Sequence, residues 1–402
     1  MPRSFIINLL CLAAFGLASC ASVTPRAANV RLSAEAPSSL PARFASRLVI
    51  VDVEINGAGE FPFLLDTGSD VTVIDRRLNN RFQFKKESEA IARGSGGSVK
   101  TSFVRAASME IGPVHIESPV LLVLDLSSFD SIVGAQIGGI VGLDALEGLA
   151  LRINYSARKV EIAQSGGFVD LNAPRIPLVR RENLYGINVH LGGEDPVSLL
   201  LDTGMSGCLS LEIEKAYECG LRPDPMRRGE WRVGIGGAGR SPVTTAPWVR
   251  IGDRDIPRVE LVLEKPAGRF AGAIGGGLLR FFLLTIDFGA QTIQLSNEPC
   301  GEVVLSNGNT TGARLDYRYD WAREGVRIDC VKAGTPAAEC GVRPGDMLIA
   351  INGEPIAGIN SRRMRELTSK DAKSLTWTIL TPLGPEQKIL KKGAPAPVPE
   401  NN

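Results

Sequence analysis

The chain has 402 residues, 44% of them hydrophobic, which is room for about three domains with ample buried core. Its 45 lysines and arginines nearly cancel its 44 aspartates and glutamates, so neither nucleic acid nor an anionic surface is implied as a partner. The two histidines, His115 and His190, lie inside alternating strand patterns, and no cysteines form a clustered pair. A Ser-His-Asp triad or a zinc site is therefore disfavoured, and no metal or other cofactor is expected.

Residues 1–20 read as a targeting segment, with Arg3 at the positive end and an apolar stretch over 5–17 too short to cross a bilayer. Leu17-Ala18-Ser19-Cys20 resembles the bacterial lipoprotein box, which implies cleavage before Cys20 and lipidation of its thiol. Ala21, rather than an aspartate, follows the cysteine, which in such lipoproteins is compatible with transfer to an outer membrane. An ordinary secretory cut near Ala21 is the other reading, and both take the mature chain out of the cytoplasm. Residues 21–43, rich in Ala, Pro and Ser, read as a flexible tether. No later apolar run is long enough for a membrane helix.

From residue 44 the strands are short, β-branched and punctuated by glycine. Leu64-Leu65-Asp66-Thr67-Gly68 recurs 136 residues later as Leu200-Leu201-Asp202-Thr203-Gly204. At the same offset Val51-Asp52-Val53-Glu54-Ile55-Asn56-Gly57 matches Ile187-Asn188-Val189-His190-Leu191-Gly192-Gly193. Gly96-Gly97 matches Gly236-Gly237 at an offset of 140, and Ile153-Asn154-Tyr155 matches Ile286-Asp287-Phe288 at 133. This is an internal duplication with small loop insertions, placing one lobe over residues 44–170 and its copy over 171–300. In each, an apolar strand delivers a carboxylate to a turn, which is costly unless the environment uses it. Two such carboxylates on a pseudo-twofold axis cannot both ionise, so one proton is shared and a single residue type provides both an acid and a base.

Asp-Thr-Gly after an apolar pair, twice in one chain, resembles the signature of the pepsin-like and retropepsin-like aspartic proteases. The resemblance implies a catalytic pair, Asp66 and Asp202, holding one water that attacks a peptide carbonyl without a covalent intermediate. It implies that Thr67 and Thr203 lock the two loops together by hydroxyl-to-backbone bonds. Gly68 and Gly204 let the backbones approach closely. Ser69 is expected to hydrogen-bond the outer oxygen of Asp66, whereas Met205 in the second copy cannot, which makes Asp66 the more readily ionised. Gly94-Ser95-Gly96-Gly97 and Gly234-Ile235-Gly236-Gly237 fall where retropepsins carry the flap, a hairpin that closes over an extended peptide; two ordinary hairpin turns are the plain alternative. Val141-Gly142 and Ile274-Gly275 resemble the apolar-apolar-glycine element beneath the catalytic loops.

Gly234, Gly236 and Gly239 also satisfy G-x-G-x-x-G, but no helix pattern follows, so the dinucleotide reading fails. Among the mature cysteines, Cys208 with Cys219 and Cys330 with Cys340 are local disulfide candidates, and buried thiols are equally compatible. After a polar connector over 301–312, residues 313–393 carry Ala333-Gly334-Thr335-Pro336-Ala337-Ala338, Arg343-Pro344-Gly345-Asp346 and Ile349-Ala350-Ile351-Asn352-Gly353. This string resembles a PDZ domain of the kind attached to bacterial envelope proteases. By that resemblance Gly325, Val326, Arg327 and Ile328 would line the peptide groove after Glu324, a second helix would cover 362–368, and 375–380 would be a strand. Residues 394–402 read as a Pro-rich disordered tail.

The expected architecture is mainly β, two related aspartic-protease β-barrel-like lobes followed by a small α+β PDZ domain. The expected function is that of a lipid-anchored envelope aspartic endopeptidase, a hydrolase of extended polypeptides whose single chain completes its own site, so a monomer suffices. The rival reading, a peptide-binding envelope protein that has lost catalysis, rests on Met205.

Overall fold

A computed structural model describes residues 5–7, 29–155, 157–170, 173–193, 195–227, 229–265, 269–297, 313–320, 325–331, 335–343, 345–356, 374–381 and 384–391. The chain divides into two compact units, Met1–Asn297 and Glu298–Asn402. Both are mainly β.

The first unit repeats one sheet order twice. In the first half the strands lie in the order Leu48–Ile55, Glu60–Leu65, Gly139–Val141, Val73–Asp75, Val120–Leu124, Gly97–Arg105. The second half lays down Leu184–Val189, Val197–Asp202, Gly272–Gly275, Leu209–Glu212, Arg254–Glu264 and Val243–Ile251 in the same order. Each Asp-Thr-Gly strand is thus internal, and it pairs in parallel with a glycine-containing strand from much later in its half: Leu65 beside Val141, Leu201 beside Ile274. Burial on both faces explains why these strands read as continuous apolar runs rather than alternating ones.

A six-stranded sheet joins the halves, with Leu149–Asn154 antiparallel to Phe282–Asp287 and Arg152 opposite Thr285. Leu65, Val141, Leu151 and Ile153 from one half and Leu201, Ile274, Leu284 and Ile286 from the other share one core. The duplication therefore produces two lobes with a common floor, and the loops above that floor are held rigidly.

Residues 29–43 are not a tether. Asn29–Leu32 pairs with Val114–Glu117, Ser38–Leu40 with Lys159–Gln164, and Ala42–Ala45 with Leu48–Ile55. Leu40 is only 3% exposed, so a few apolar side chains in a polar stretch were enough to seat it on sheet edges. Residues 21–28 and Cys20 lie outside the described residues. Of the targeting segment only Phe5–Ile7 is described, as a strand parallel to Trp231–Val233. Among the described residues no helix is long and apolar enough to cross a membrane.

The second unit is a sheet in the order Ala313–Asp320, Gly325–Val331, Met347–Ile351, Ser374–Thr381, Gly384–Lys391, with the short helix Pro336–Glu339. Pro336 opens that helix, where its missing N–H costs nothing. Its core gathers Ile328, Ala337, Leu348, Ile351 and Ile379 with the fully buried Trp377. Residues 301–312, 362–368 and 394–402 lie outside the described residues.

Candidate functional site

The strand Glu60–Leu65 ends at Asp66, and Val197–Asp202 ends on Asp202 itself; both carboxyl groups are wholly buried. Thr67 Oγ1 donates to Leu201 O at 2.7 Å and Thr203 Oγ1 donates to Leu65 O at 2.9 Å. Each hydroxyl oxygen in turn accepts the opposite threonine's N–H, at 3.0 and 3.1 Å. Every group in this cross-lobe grip is both donor and acceptor, so neither loop can shift without orphaning the other's buried polar atoms. A Cβ on Gly68 would stand 2.7 Å from Asp202 Cγ, and one on Gly204 only 2.4 Å from Asp66 Cγ. Each glycine therefore makes room for the opposite carboxyl group.

The two carboxyl groups lie within hydrogen-bonding reach of each other. Burial is the largest influence on both and raises both pKa values. Asp66 rises to about 6, held back by the Gly68 N–H, which donates to its Oδ1 at 2.8 Å, and by the neighbouring Asp202. Asp202 is pushed well above the usual carboxylate range by burial and then by the negative charge of Asp66. Asp66 Oδ2 and both oxygens of Asp202 meet no protein donor. Two carboxyl groups this close in a buried site cannot both ionise, so the pair shares one proton, and the stronger upward push falls on Asp202. A base and an acid then sit side by side.

The loops around the pair are braced differently. Ser69 does not reach Asp66: its hydroxyl donates to Val71 O at 2.7 Å, closing the turn instead. The expected Ser69–Asp66 bond is thus corrected, because the single hydroxyl proton is taken by a nearer buried carbonyl. Behind this loop the Thr72 N–H and hydroxyl donate to Asp144 at 3.0 and 2.6 Å, and the Gly142 N–H donates to Thr72 Oγ1 at 3.2 Å. Burial lifts Asp144 to about 6, and burial together with the Asp144 charge lifts Asp70 to about 7. In the second half Cys208 and Gly277 stand at the matching positions. There the Gly277 N–H donates to Gly207 O at 2.9 Å and the Gly275 N–H to Cys208 O at 3.0 Å. A Cβ on Gly277 would lie 2.6 Å from Gly207, so backbone contact replaces the side-chain brace.

The glycine tips form the turns of two hairpins, Lys86–Gly94 with Gly97–Arg105 and Glu230–Gly234 with Gly237–Ser241. The tips touch. The Gly96 N–H donates to Ile235 O at 2.9 Å, and a Cβ on Gly96 would stand 2.3 Å from Gly237 N. Gly236 has φ +92°, open to glycine, and its Cβ would meet Gly97 N at 2.6 Å. Gly94 abuts Ile235 in the same way, which leaves Ser95 and Gly234 at the remaining corners of the two turns. Among the described residues no cluster of His, Cys, Asp or Glu could hold a metal ion.

Residues 51–145 match the family of aspartyl proteases, and residues 327–367 match the PDZ domain. The aspartyl protease match thus falls in the first half of the first unit and the PDZ match in the second unit. Among solved structures, the aspartic proteinase from Irpex lacteus is similar over 67% of this chain and 99% of its own, at 13% identity and a TM-score of 0.43. No curated protein matches the chain.

Cys208, Cys219 and, in the PDZ domain, Cys340 form no disulfide, so neither candidate bridge exists. Cys208 lies in the site loop and Cys219 caps a helix, both packed against the same core, while Cys340 Sγ donates to Ile389 O at 3.0 Å. In the PDZ domain the strand containing Gly325, Val326, Arg327 and Ile328 is internal, with Ala313–Asp320 on one side and Met347–Ile351 on the other. Those four residues therefore do not offer a free sheet edge to an added strand, as expected of a groove; the edge positions fall to Ala313–Asp320 and Gly384–Lys391. Sequence reasoning also missed Thr72, Asp144 and Asp70. Their signal was the mismatch between the two aligned copies, where polar residues in one half face Cys208, Gly277 and Ser206 in the other.

Proposed function

We propose that the aspartyl protease domain is an active endopeptidase that cleaves extended polypeptides with a water activated between Asp66 and Asp202. The observation that carries this is the buried pair itself, each carboxyl group seated against the opposite loop's glycine and only one of the four oxygens, Asp66 Oδ1, bonded to a protein donor. Asp66, ionised, takes a proton from water as it attacks the scissile carbonyl. Asp202, protonated, donates to the oxygen on which charge develops. On collapse of the diol the proton held by Asp66 passes to the leaving nitrogen and Asp202 takes its proton back from the diol hydroxyl, so the pair returns to its starting state. The threonine grip fixes the carboxyl positions, and the two hairpins hold the peptide extended over them while excluding water.

The inactive rival rested on Met205 in place of a serine. Because Ser69 sends its proton to Val71 rather than to Asp66, a hydroxyl at 205 would add nothing to the pair, and that objection lapses. The chain is exported to the bacterial envelope and anchored through a lipid on Cys20 to the outer membrane, facing the periplasm, and the PDZ domain engages polypeptide at a sheet edge or restrains the enzyme. The test is cleavage of a denatured protein at mildly acidic pH, with and without pepstatin. Cleavage by Asp66→Asn or Asp202→Asn at the unsubstituted rate would sink the proposal.

A further inference from the structure

The two hairpins cover different surroundings. At an offset of 140, Ala92, Phe103, Leu122 and Leu124 of the first half match Arg232, Val243, Val262 and Glu264 of the second. The first set belongs to an apolar pocket that also takes Ile235 from the opposite hairpin tip. In the second half only Val243 and Val262 cluster, and Arg232 reaches from its hairpin to Glu264 on the sheet that carries Asp202. Both ion-paired side chains are 8% exposed, with the strand Phe5–Ile7, which processing before Cys20 would remove, lying along Trp231–Val233 and Ile6 opposite Arg232. Arg232 Nη1 holds Glu264, while its Nε and Nη2 are buried and meet no hydrogen-bond partner among the described residues.

A buried guanidinium with two unmade bonds is expensive unless something accepts from it. Nε and Nη2 form one planar edge of the fork, which matches two acceptor oxygens, or an oxygen bound across both donors. The neighbouring acids do not fill this role: Glu230 and Glu260 are paired with Arg227. We propose that Arg232 is a specificity-determining residue of the second half of the cleft, taking a carboxylate or carboxamide side chain of the substrate on its Nε–Nη2 edge. This rests on the endopeptidase reading. Because Glu264 already balances the arginine's charge, a neutral carboxamide is accepted as well as a carboxylate. The cleft is then asymmetric, apolar beside the first hairpin and polar beside the second.

The test is a peptide library cleaved by the full chain, with Gln, Glu, Leu or Lys placed at one position at a time. The expected result is a preference for Gln or Glu over Leu of at least about tenfold in kcat/KM at a position on one side of the scissile bond. Arg232→Met reduces that preference below about threefold, through KM, and Glu264→Gln shifts it from Gln toward Glu by removing the competing charge. Should Arg232→Met fail to fold, the Glu264→Gln shift decides alone. Wild-type cleavage without a polar preference, or a preference unchanged in both variants, overturns the assignment while leaving the catalytic pair standing. If the wild type cleaves nothing and Asp66→Asn changes nothing, the endopeptidase reading falls and this inference falls with it.

Discussion

The two Asp-Thr-Gly loops share five residues and one geometry, yet the first is stiffened by side chains and the second by backbone. Thr72 and Asp144 brace the first loop through hydroxyl, amide and carboxylate, whereas Gly207, Gly275 and Gly277 bring main chains together in the second. The same division runs outward to the hairpins, where Ala92 and Leu124 on one side face Arg232 and Glu264 on the other. A duplicated unit that must contribute both an acid and a base gains from such divergence. The shared grip keeps the carboxyl groups symmetric in position, and the unequal surroundings make them unequal in proton affinity.

The comparison breaks most visibly at the carboxyl groups. Asp66→Asn and Asp202→Asn should each lower cleavage of a denatured protein by about a thousandfold with unchanged far-UV circular dichroism; an Asp202 variant that stays active would end the division of roles. Because Asp66 must be ionised, kcat/KM should fall as pH drops below about 6, with a second limb at higher pH where Asp202 loses its proton. Next come the glycines. Gly204→Ala, whose Cβ would stand 2.4 Å from Asp66 Cγ, should cost activity more than Gly68→Ala at 2.7 Å, both on the order of a hundredfold.

Thr67→Ala and Thr203→Ala test the shared part. Each orphans a buried carbonyl and a buried amide, so each should lower stability by about 2 kcal/mol in denaturant unfolding, equally for the two. Stability should also carry the mark of the pair. Between pH 3.8 and about 6 folded Asp66 retains a proton that the unfolded chain releases, so unfolding free energy should fall as pH rises through that window. Asp202→Asn, which needs no proton taken up on folding, should then be more thermally stable than the wild type at pH 7. The smallest effect belongs to the tips: Ile235→Ser should speed hydrogen exchange at Gly96, whose N–H it receives, while Ser95→Ala should leave it nearly unchanged.

Much of this site was legible because a close pair of buried carboxyl groups writes itself into backbone requirements. Gly68, Gly204, Gly96 and Gly236 stand where another main chain or carboxyl group leaves no room for a side chain. Such positions show as glycine whatever the neighbours are. Ser69 was misread because a hydroxyl rotates to whichever acceptor is nearest, and that choice is made by the turn, not by the motif. Residues 29–43 were misread because Ala, Pro and Ser describe a loose chain until sheet edges with unpaired backbone groups lie beside it. The internal PDZ strand was misread for the related reason that composition does not say which neighbour occupies a strand's second edge.

By itself the sequence determined that there are two copies of one unit, that each ends a buried strand in an acid, and that glycine-tipped hairpins follow in both. These are local and periodic features, so they survive without coordinates. Only the tertiary structure decided that the two acids meet, that burial raises the proton affinity of both, and that Arg232 pairs with Glu264 with one edge of its fork unpartnered among the described residues. Proton affinity and hydrogen-bond satisfaction depend on distances between residues far apart in the chain, and those distances are set by the packing of the two halves on their common floor.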